Sequence, residues 1–204
     1  MKIIKINYND TKPFLIGIHY AHRMPCIQYA FGLICDDLLE GVVTYGQPAS
    51  PYLCKGLAGE NNRKRVIELN RLVVTTNKKN AASFLIGGSL KMLPKDLFVV
   101  SYADSQMGHI GYVYQATNWI YTGITKARTD IFSESGHSRH HCADVSKRQY
   151  RSAKHRYVTF TGSKKTMIKE LRYPIAPYPK GETKRYFIQK HSDYKSQQTK
   201  LDLI

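Results

Sequence analysis

Apolar and polar positions alternate in short runs along most of the chain, and the period of each run predicts an element. Residues 2 to 6, Lys-Ile-Ile-Lys-Ile, predict a short first strand. Asp10 or Thr11 then caps a helix that puts Phe14, Leu15 and Ile18 on one face and ends near Pro25. Strands over 27–35 and 39–45, separated by Asp36-Asp37, predict an antiparallel hairpin, and 46–65 predicts a loop rich in Gly, Pro and Arg. The middle gives strand 66–74, helix 80–93, strand 97–103 and helix 109–117. Gly87-Gly88 inside the first of these helices costs about 1 kcal/mol per glycine relative to alanine, which close packing on a strand would explain. A strand over 119–126, a polar basic stretch over 133–153 without periodicity, and a last strand over 155–161 follow. The prolines of Tyr173-Pro-Ile-Ala-Pro-Tyr-Pro179 exclude helix interior.

Strands alternating with helices argue for a mixed α/β domain in which crossover helices join central strands. At 204 residues one core suffices, so the chain divides into a domain over 1–180, with a basic loop over about 126–156, and a polar tail over 181–204. No apolar run approaches the ~20 residues of a membrane helix, and the N-terminus has no signal-peptide core, which predicts a cytoplasmic protein without membrane contact. Cys26, Cys35, Cys54 and Cys142 lack CxxC or regular spacing, so free thiols are expected. The run His137 to Cys142 fits no standard zinc spacing, and no metal is expected.

Charge narrows the class of partner. The chain carries 31 Lys and Arg against 15 Asp and Glu, net +16. From Lys126 to the C-terminus 18 basic residues face 7 acidic ones, which places +11 of that excess in two-fifths of the length. Each cation that meets a phosphate releases counterions and adds salt-sensitive affinity, so a nucleic acid is the expected partner. Arg23, Arg128, Arg139, Lys147, Arg148, Arg151, Lys154 and Arg156, interleaved with His137, His140, His141 and Tyr150, predict a phosphate-tracking surface.

Two strand-to-helix junctions are candidates for chemistry. Asn77, Lys78, Lys79, Asn80 and Ser83 open a helix, and free N–H groups beside lysines suit a donor's phosphate. Val99 to Gly111 ends an apolar strand in Asp104 and His109, at the strand end where open α/β sheets hold ligands. Asp104 is a proton acceptor or a turn residue; His109 moves protons or binds phosphate. His19, Tyr20 and Arg23 close the first helix, and Tyr45 closes the hairpin.

Taken together, Glu68-Leu-Asn-Arg71-Leu, Val100-Ser-Tyr-Ala-Asp104 with Gly108-His-Ile-Gly111, Tyr114-Gln-Ala-Thr-Asn118-Trp-Ile-Tyr-Thr-Gly123 and Lys154-His-Arg-Tyr157 resemble the Mom family of phage DNA-modification proteins. The resemblance spans about 14–180 and includes His19-Tyr20, Gly41 to Gly46 and Tyr173-Pro174. It implies a divergent GNAT acyltransferase fold, with a mostly antiparallel twisted sheet splayed between two middle strands. It also implies conversion of adenine in double-stranded DNA to N6-carbamoylmethyladenine, which shields phage DNA from restriction. The turn at Asn77 to Ala82 departs from the glycine-rich GNAT signature that wraps coenzyme A. The implied product carries a methylene carbon on N6, which plain acetylation would not leave, so glycyl-tRNA is the expected donor and acetyl-coenzyme A the alternative. Asp104, His19 and Tyr45 are the expected catalytic residues, with His109 and Tyr114 lining the donor cleft. A noncatalytic DNA-binding, anti-restriction protein and an acetyltransferase acting on tRNA or protein are the competing readings.

Overall fold

A computed structural model describes residues 1–132 and 144–181. Strands β1 (Lys2–Lys5), β2 (Tyr29–Cys35), β3 (Leu38–Gly46), β4 (Val66–Val74), β5 (Phe98–Asp104), β9 (Lys154–Phe160) and β6 (Ile120–Ile124) form one seven-stranded sheet in the order β1-β2-β3-β4-β5-β9-β6. β7 (Arg128–Phe132) and β8 (Asp144–Arg151) form a separate two-stranded ribbon. The helices are α1 (Tyr8–Lys12), α2 (Pro51–Ala58), α3 (Ala81–Met92), α4 (Tyr112–Ala116) and α5 (Lys164–Met167).

All neighbouring strands pair antiparallel except β4 and β5, which α3 joins as a parallel crossover. That pair has three rungs, Val66 with Phe98, Ile67 with Val99 and Glu68 with Val100. Beyond Glu68, β4 continues against β3 while β5 continues against β9, and the two strands part. This is the mostly antiparallel, centrally splayed α/β sheet that the resemblance implied.

The two faces of the sheet have separate cores. One packs Leu33, Tyr45, Leu69, Val99, Trp119 and Tyr157 against Leu85 and Ile86 of α3 and Tyr114 of α4. The other packs Val66, Phe98, Val100 and Val158 against Cys54 and Leu57 of α2, beside a smaller cluster in which Phe14 and Leu15 meet Val42 and Val73. Gly88 is explained as expected, because a Cβ there would lie 2.1 Å from Cδ1 of Ile3 in β1.

Several elements differ from the sequence reading. The first helix is capped at Asn7, with Asp10 closing a capping box; it passes into a π-helical turn over Pro13–Ile18 and stops there, short of Pro25. The 46–65 loop contains α2, with Pro51 in its first turn where the missing N–H costs nothing. Part of the aperiodic basic stretch is β8, whose sequence Asp144–Arg151 has too few apolar residues to show the alternation of a strand. Asp36 and Asp37 form the hairpin turn with φ of 50° and 62°. Of the expected tail, 181–204, all but Gly181 lies outside the described residues.

Candidate active site

β4 contains one extra residue at its centre. Thr44 pairs with Arg71 and Tyr45 with Leu69, which leaves Asn70 bulged between them. Before the bulge Ile67 and Leu69 face α3; after it Leu72 and Val74 do. The inserted residue therefore reverses the alternation and turns Arg71 to the same face as Glu68. The Asn70 side chain holds the bulge, accepting from Thr44 Oγ1 at 2.6 Å and donating to the Cys26 carbonyl at 2.8 Å.

On the α3 face the parting of the strands is filled. Ser101 Oγ donates to the Leu69 carbonyl at 2.8 Å, reaching across from β5 to β4, and shares a hydrogen bond with the Tyr114 hydroxyl at 2.7 Å. Tyr114 packs on Trp119 and Tyr157 at ring separations of 5.0 and 5.3 Å. All four side chains are buried.

On the opposite face the same opening is polar. Alternation along β5 places Tyr102 and Asp104 there, and their β9 partners are Arg156 and Lys154. Asp104 is pinned by three donors: Ser152 Oγ at 2.5 Å, the Gln106 N–H at 3.0 Å and the Lys154 ammonium. Burial pushes its carboxyl up, but the hydrogen bonds from Lys154, Ser152 and Gln106 outweigh it and hold the group below the ordinary carboxylate value. Glu68 is the converse. It occupies the last rung before the strands part and makes no hydrogen bond or ion pair among the described residues. Burial raises its carboxyl to about 7, only partly countered by Arg71 and Lys154. The Arg71 guanidinium has a buried Nε without an acceptor among the described residues and gives one N–H to the Asn70 carbonyl at 2.6 Å. Burial and the nearby Arg23 both lower its pKa.

The segment after the π-helical turn closes this polar face. His19 Nδ1 accepts from the Ala21 N–H at 3.0 Å, so its proton is on Nε2. Burial, then the charges of Arg71, His22, His109 and Arg23, lower its pKa to about 3, and the ring is neutral. Tyr20 stacks on His19 at 4.4 Å and meets His109 edge-on at 6.2 Å. Burial lowers the His109 pKa, and Asp104 partly restores it.

Of the expected catalytic residues, then, His19 and Asp104 flank the opening but Tyr45 does not. Tyr45 is fully buried on the α3 face and its hydroxyl bonds Ser89 Oγ at 2.7 Å, so it is a core residue. Tyr114 lies within the core beside the opening rather than lining a cleft. In the turn before α3, Asn77, Lys78, Lys79 and Asn80 are exposed; Lys78 pairs with Asp36 at 2.6 Å and Ser83 Oγ returns to the Asn80 carbonyl at 3.0 Å. Asn80 adopts the left-handed conformation, φ 62°, that a glycine takes at such turns and asparagine tolerates.

The expected phosphate-tracking cations divide likewise. Lys154 is committed to Asp104. Arg156 lies 3.6 Å over the Tyr173 ring and donates to the Thr122 hydroxyl and carbonyl, both at 2.9 Å, so it fastens the C-terminal segment. Arg128 and Arg151 flank Asp130 at 3.5 and 3.3 Å; Arg148 is exposed and Arg23 half-buried beside the site. Arg139 and the Lys147 side chain lie outside the described residues. Among the described residues no group of His, Cys, Asp and Glu is placed to hold a metal ion, no helix is long and apolar enough to cross a membrane, and Cys26, Cys35 and Cys54 are free thiols.

Glu68 and Arg71 were not picked out as catalytic from the chain. The signal was present in β4, where two opposite charges, with Asn70 between them, interrupt an otherwise apolar central strand.

The methylcarbamoylase Mom of Escherichia phage Mu is 30% identical over 111 residues, covering 52% of this chain and 46% of that protein, so the match spans about half of each. Solved structures similar in outline include a GNAT-family acetyltransferase from Bacillus cereus ATCC 10987 (14% identity, TM-score 0.45, 78% of this chain and 96% of that one). An N-acetyltransferase from Staphylococcus aureus Mu50 is comparable (14%, TM-score 0.47, 78% and 98%). The model of the Mom protein family matches residues 1–180, and the chain belongs to that family.

Proposed function

We propose that this protein is a transferase that converts adenine in double-stranded DNA to N6-carbamoylmethyladenine in the host cytoplasm and so protects phage DNA from restriction. The observation that carries the reading is Glu68: a carboxyl raised to about 7, without a hydrogen-bond or ion-pair partner among the described residues, at the point where β4 and β5 part, with the charges of Arg71 and Lys154 nearby and Arg71 in turn close to Arg23 and His19. A group held near neutrality is matched to taking a proton from an attacking amine, and surrounding cations suit anionic nucleic acid. Asp104, kept ionised by Lys154, positions rather than abstracts. Neutral His19 offers Nε2–H to a carbonyl on which negative charge develops.

The donor we propose is glycyl-tRNA. The adenine N6 lone pair attacks the glycyl carbonyl; the ester C–O bond breaks, its electron pair leaves on the ribose oxygen, and the N6 proton passes to Glu68 and then to that oxygen. The glycyl amine next attacks C6 through a five-membered ring and expels the original nitrogen as the carboxamide, leaving a methylene on the new N6. This balances without an oxidant or reductant. Acetyl-coenzyme A supplies no such nitrogen. The adenine must leave the stack, at a cost of a few kcal/mol.

Mass analysis of nucleosides from plasmid DNA of cells expressing the protein tests the reading: a carbamoylmethylated deoxyadenosine is expected, and unchanged deoxyadenosine, or modification only of tRNA or protein, overturns it. A purified reaction with duplex DNA that still yields product without tRNA and glycine overturns the donor.

A further inference from the structure

The β7–β8 ribbon stands apart from the main sheet, yet its root is tied to the site. It leaves β6 and returns into β9, with Thr125 N–H donating to the Lys154 carbonyl at 2.9 Å and Lys154 N–H to Thr125 Oγ1 at 2.9 Å. Just past the end of β8, Ser152 donates to Asp104 and the Ala153 carbonyl accepts from both the N–H and Oγ of Ser105.

Register divides the ribbon into two faces. Arg128 lies opposite Arg151 and Asp130 opposite Gln149, and the two arginines flank the Asp130 carboxylate. Thr129 lies opposite Tyr150 and Ile131 opposite Arg148 on the other face. That second face carries an exposed cation and a tyrosine that is 61% exposed, although a phenol ring ordinarily buries most of its area. Tyr150 is two residues before Ser152, which places its Cα within about 7 Å of the Ser152 Cα. An exposed aromatic is thus anchored beside Asp104 by a short, hydrogen-bonded stretch of chain.

We propose that the ribbon lies along the duplex and that Tyr150 enters the base stack in place of the adenine extruded into the site. The inference rests on the reading of the protein as a modifier of duplex DNA. A two-stranded ribbon fits a DNA groove. The charge is complementary, since Arg148 is free of the Asp130 network and stands on the Tyr150 face. A ring in the vacated position restores the stacking that extrusion removes, which aromatic side chains supply to any base.

The test uses a duplex with 2-aminopurine as the target base and the full-length wild-type, Tyr150→Ala and Tyr150→Trp proteins, with no donor present. Wild type raises the fluorescence on binding. Tyr150→Ala lowers the extrusion equilibrium about tenfold or more, while its melting temperature stays at the wild-type value because the ring is exposed. Tyr150→Trp keeps the signal, which separates stacking from loss of the hydroxyl. Equal fluorescence for wild type and Tyr150→Ala overturns the inference while leaving the modification reading intact. Failure of wild type to bind the duplex overturns both, and a Tyr150→Ala loss of tRNA binding with duplex extrusion unchanged assigns the ribbon to the donor and overturns the inference alone.

Discussion

The two faces of the opening between β4 and β5 are built from the same two strands and share almost nothing else. Toward α3 the hydroxyls are paired, Ser101 on the Leu69 carbonyl, Tyr114 on Ser101 and Tyr45 on Ser89, and among the described residues the Trp119 Nε1 is the one buried side-chain donor there without an acceptor. Toward the π-helical turn the opening holds, among the described residues, a carboxyl without a partner, a guanidinium nitrogen without an acceptor and a neutral imidazole. Unmet groups of this kind are destabilising where they stand, and they persist at sites that act. The dry face keeps the strands apart; the wet face is where chemistry belongs.

The contrast is broken most directly at Glu68. Glu68→Gln is expected to lower single-turnover modification at least ~100-fold, in the range general bases contribute, with duplex affinity unchanged in a filter-binding titration. The same substitution should stabilise the fold. A carboxyl whose folded pKa is raised to about 7 favours the folded state fully only below its ordinary value, and that stability is lost as pH rises toward 7. Above pH 7 the variant should therefore gain about 1–3 kcal/mol over wild type by thermal melting, and near pH 5 the two should converge. A loss of stability at pH 8 would remove Glu68 from the site.

Next comes Asp104. Asp104→Asn strands the Lys154 ammonium, and a cost of about 1–3 kcal/mol is expected, with modification reduced by mispositioning. Because the folded pKa of Asp104 is depressed, its contribution is present above the ordinary carboxylate range and disappears as pH falls through the folded value. Urea titrations of wild type and variant should therefore diverge at pH 7 and meet under strongly acid conditions. On the dry face effects are smaller and confined to stability. Ser101→Ala should cost about 1 kcal/mol by freeing the Leu69 carbonyl. Tyr45→Phe, smallest of all, should cost about 0.5–1.5 kcal/mol and leave the modification rate unaltered; a rate loss with Tyr45→Phe would restore that residue to the catalytic group.

Element order was legible along the chain because β2 to β5 and α3 are long, periodic and bounded by turn residues. Asp36-Asp37 announced the hairpin, and Gly87-Gly88 announced a close approach, realised at Gly88 against Ile3. The bulge at Asn70 was not legible, since nothing local marks a residue that is extra only relative to β3. That hidden insertion decides which face Arg71 takes, which is why Glu68 and Arg71 escaped notice while His19 and Asp104 did not. Tyr45 failed for a related reason: a strand end gives its residue's position in the chain, not the face on which neighbouring helices will cover it. Helix α2 was lost among glycines and prolines, and β8 among charges, because neither carries enough apolar residues to show a period.

Three rungs alone join β4 to β5, so the sheet is mechanically two leaves, one of four strands and one of three, creased along Val66 to Glu68. A crease so short concentrates any relative motion of the leaves at its open end, where Glu68 stands. Whatever wedge sets their angle also sets how far that carboxyl is from groups on the other leaf, so bulk added around Trp119 and Tyr114, on the opposite face of the sheet, becomes a means of tuning reach.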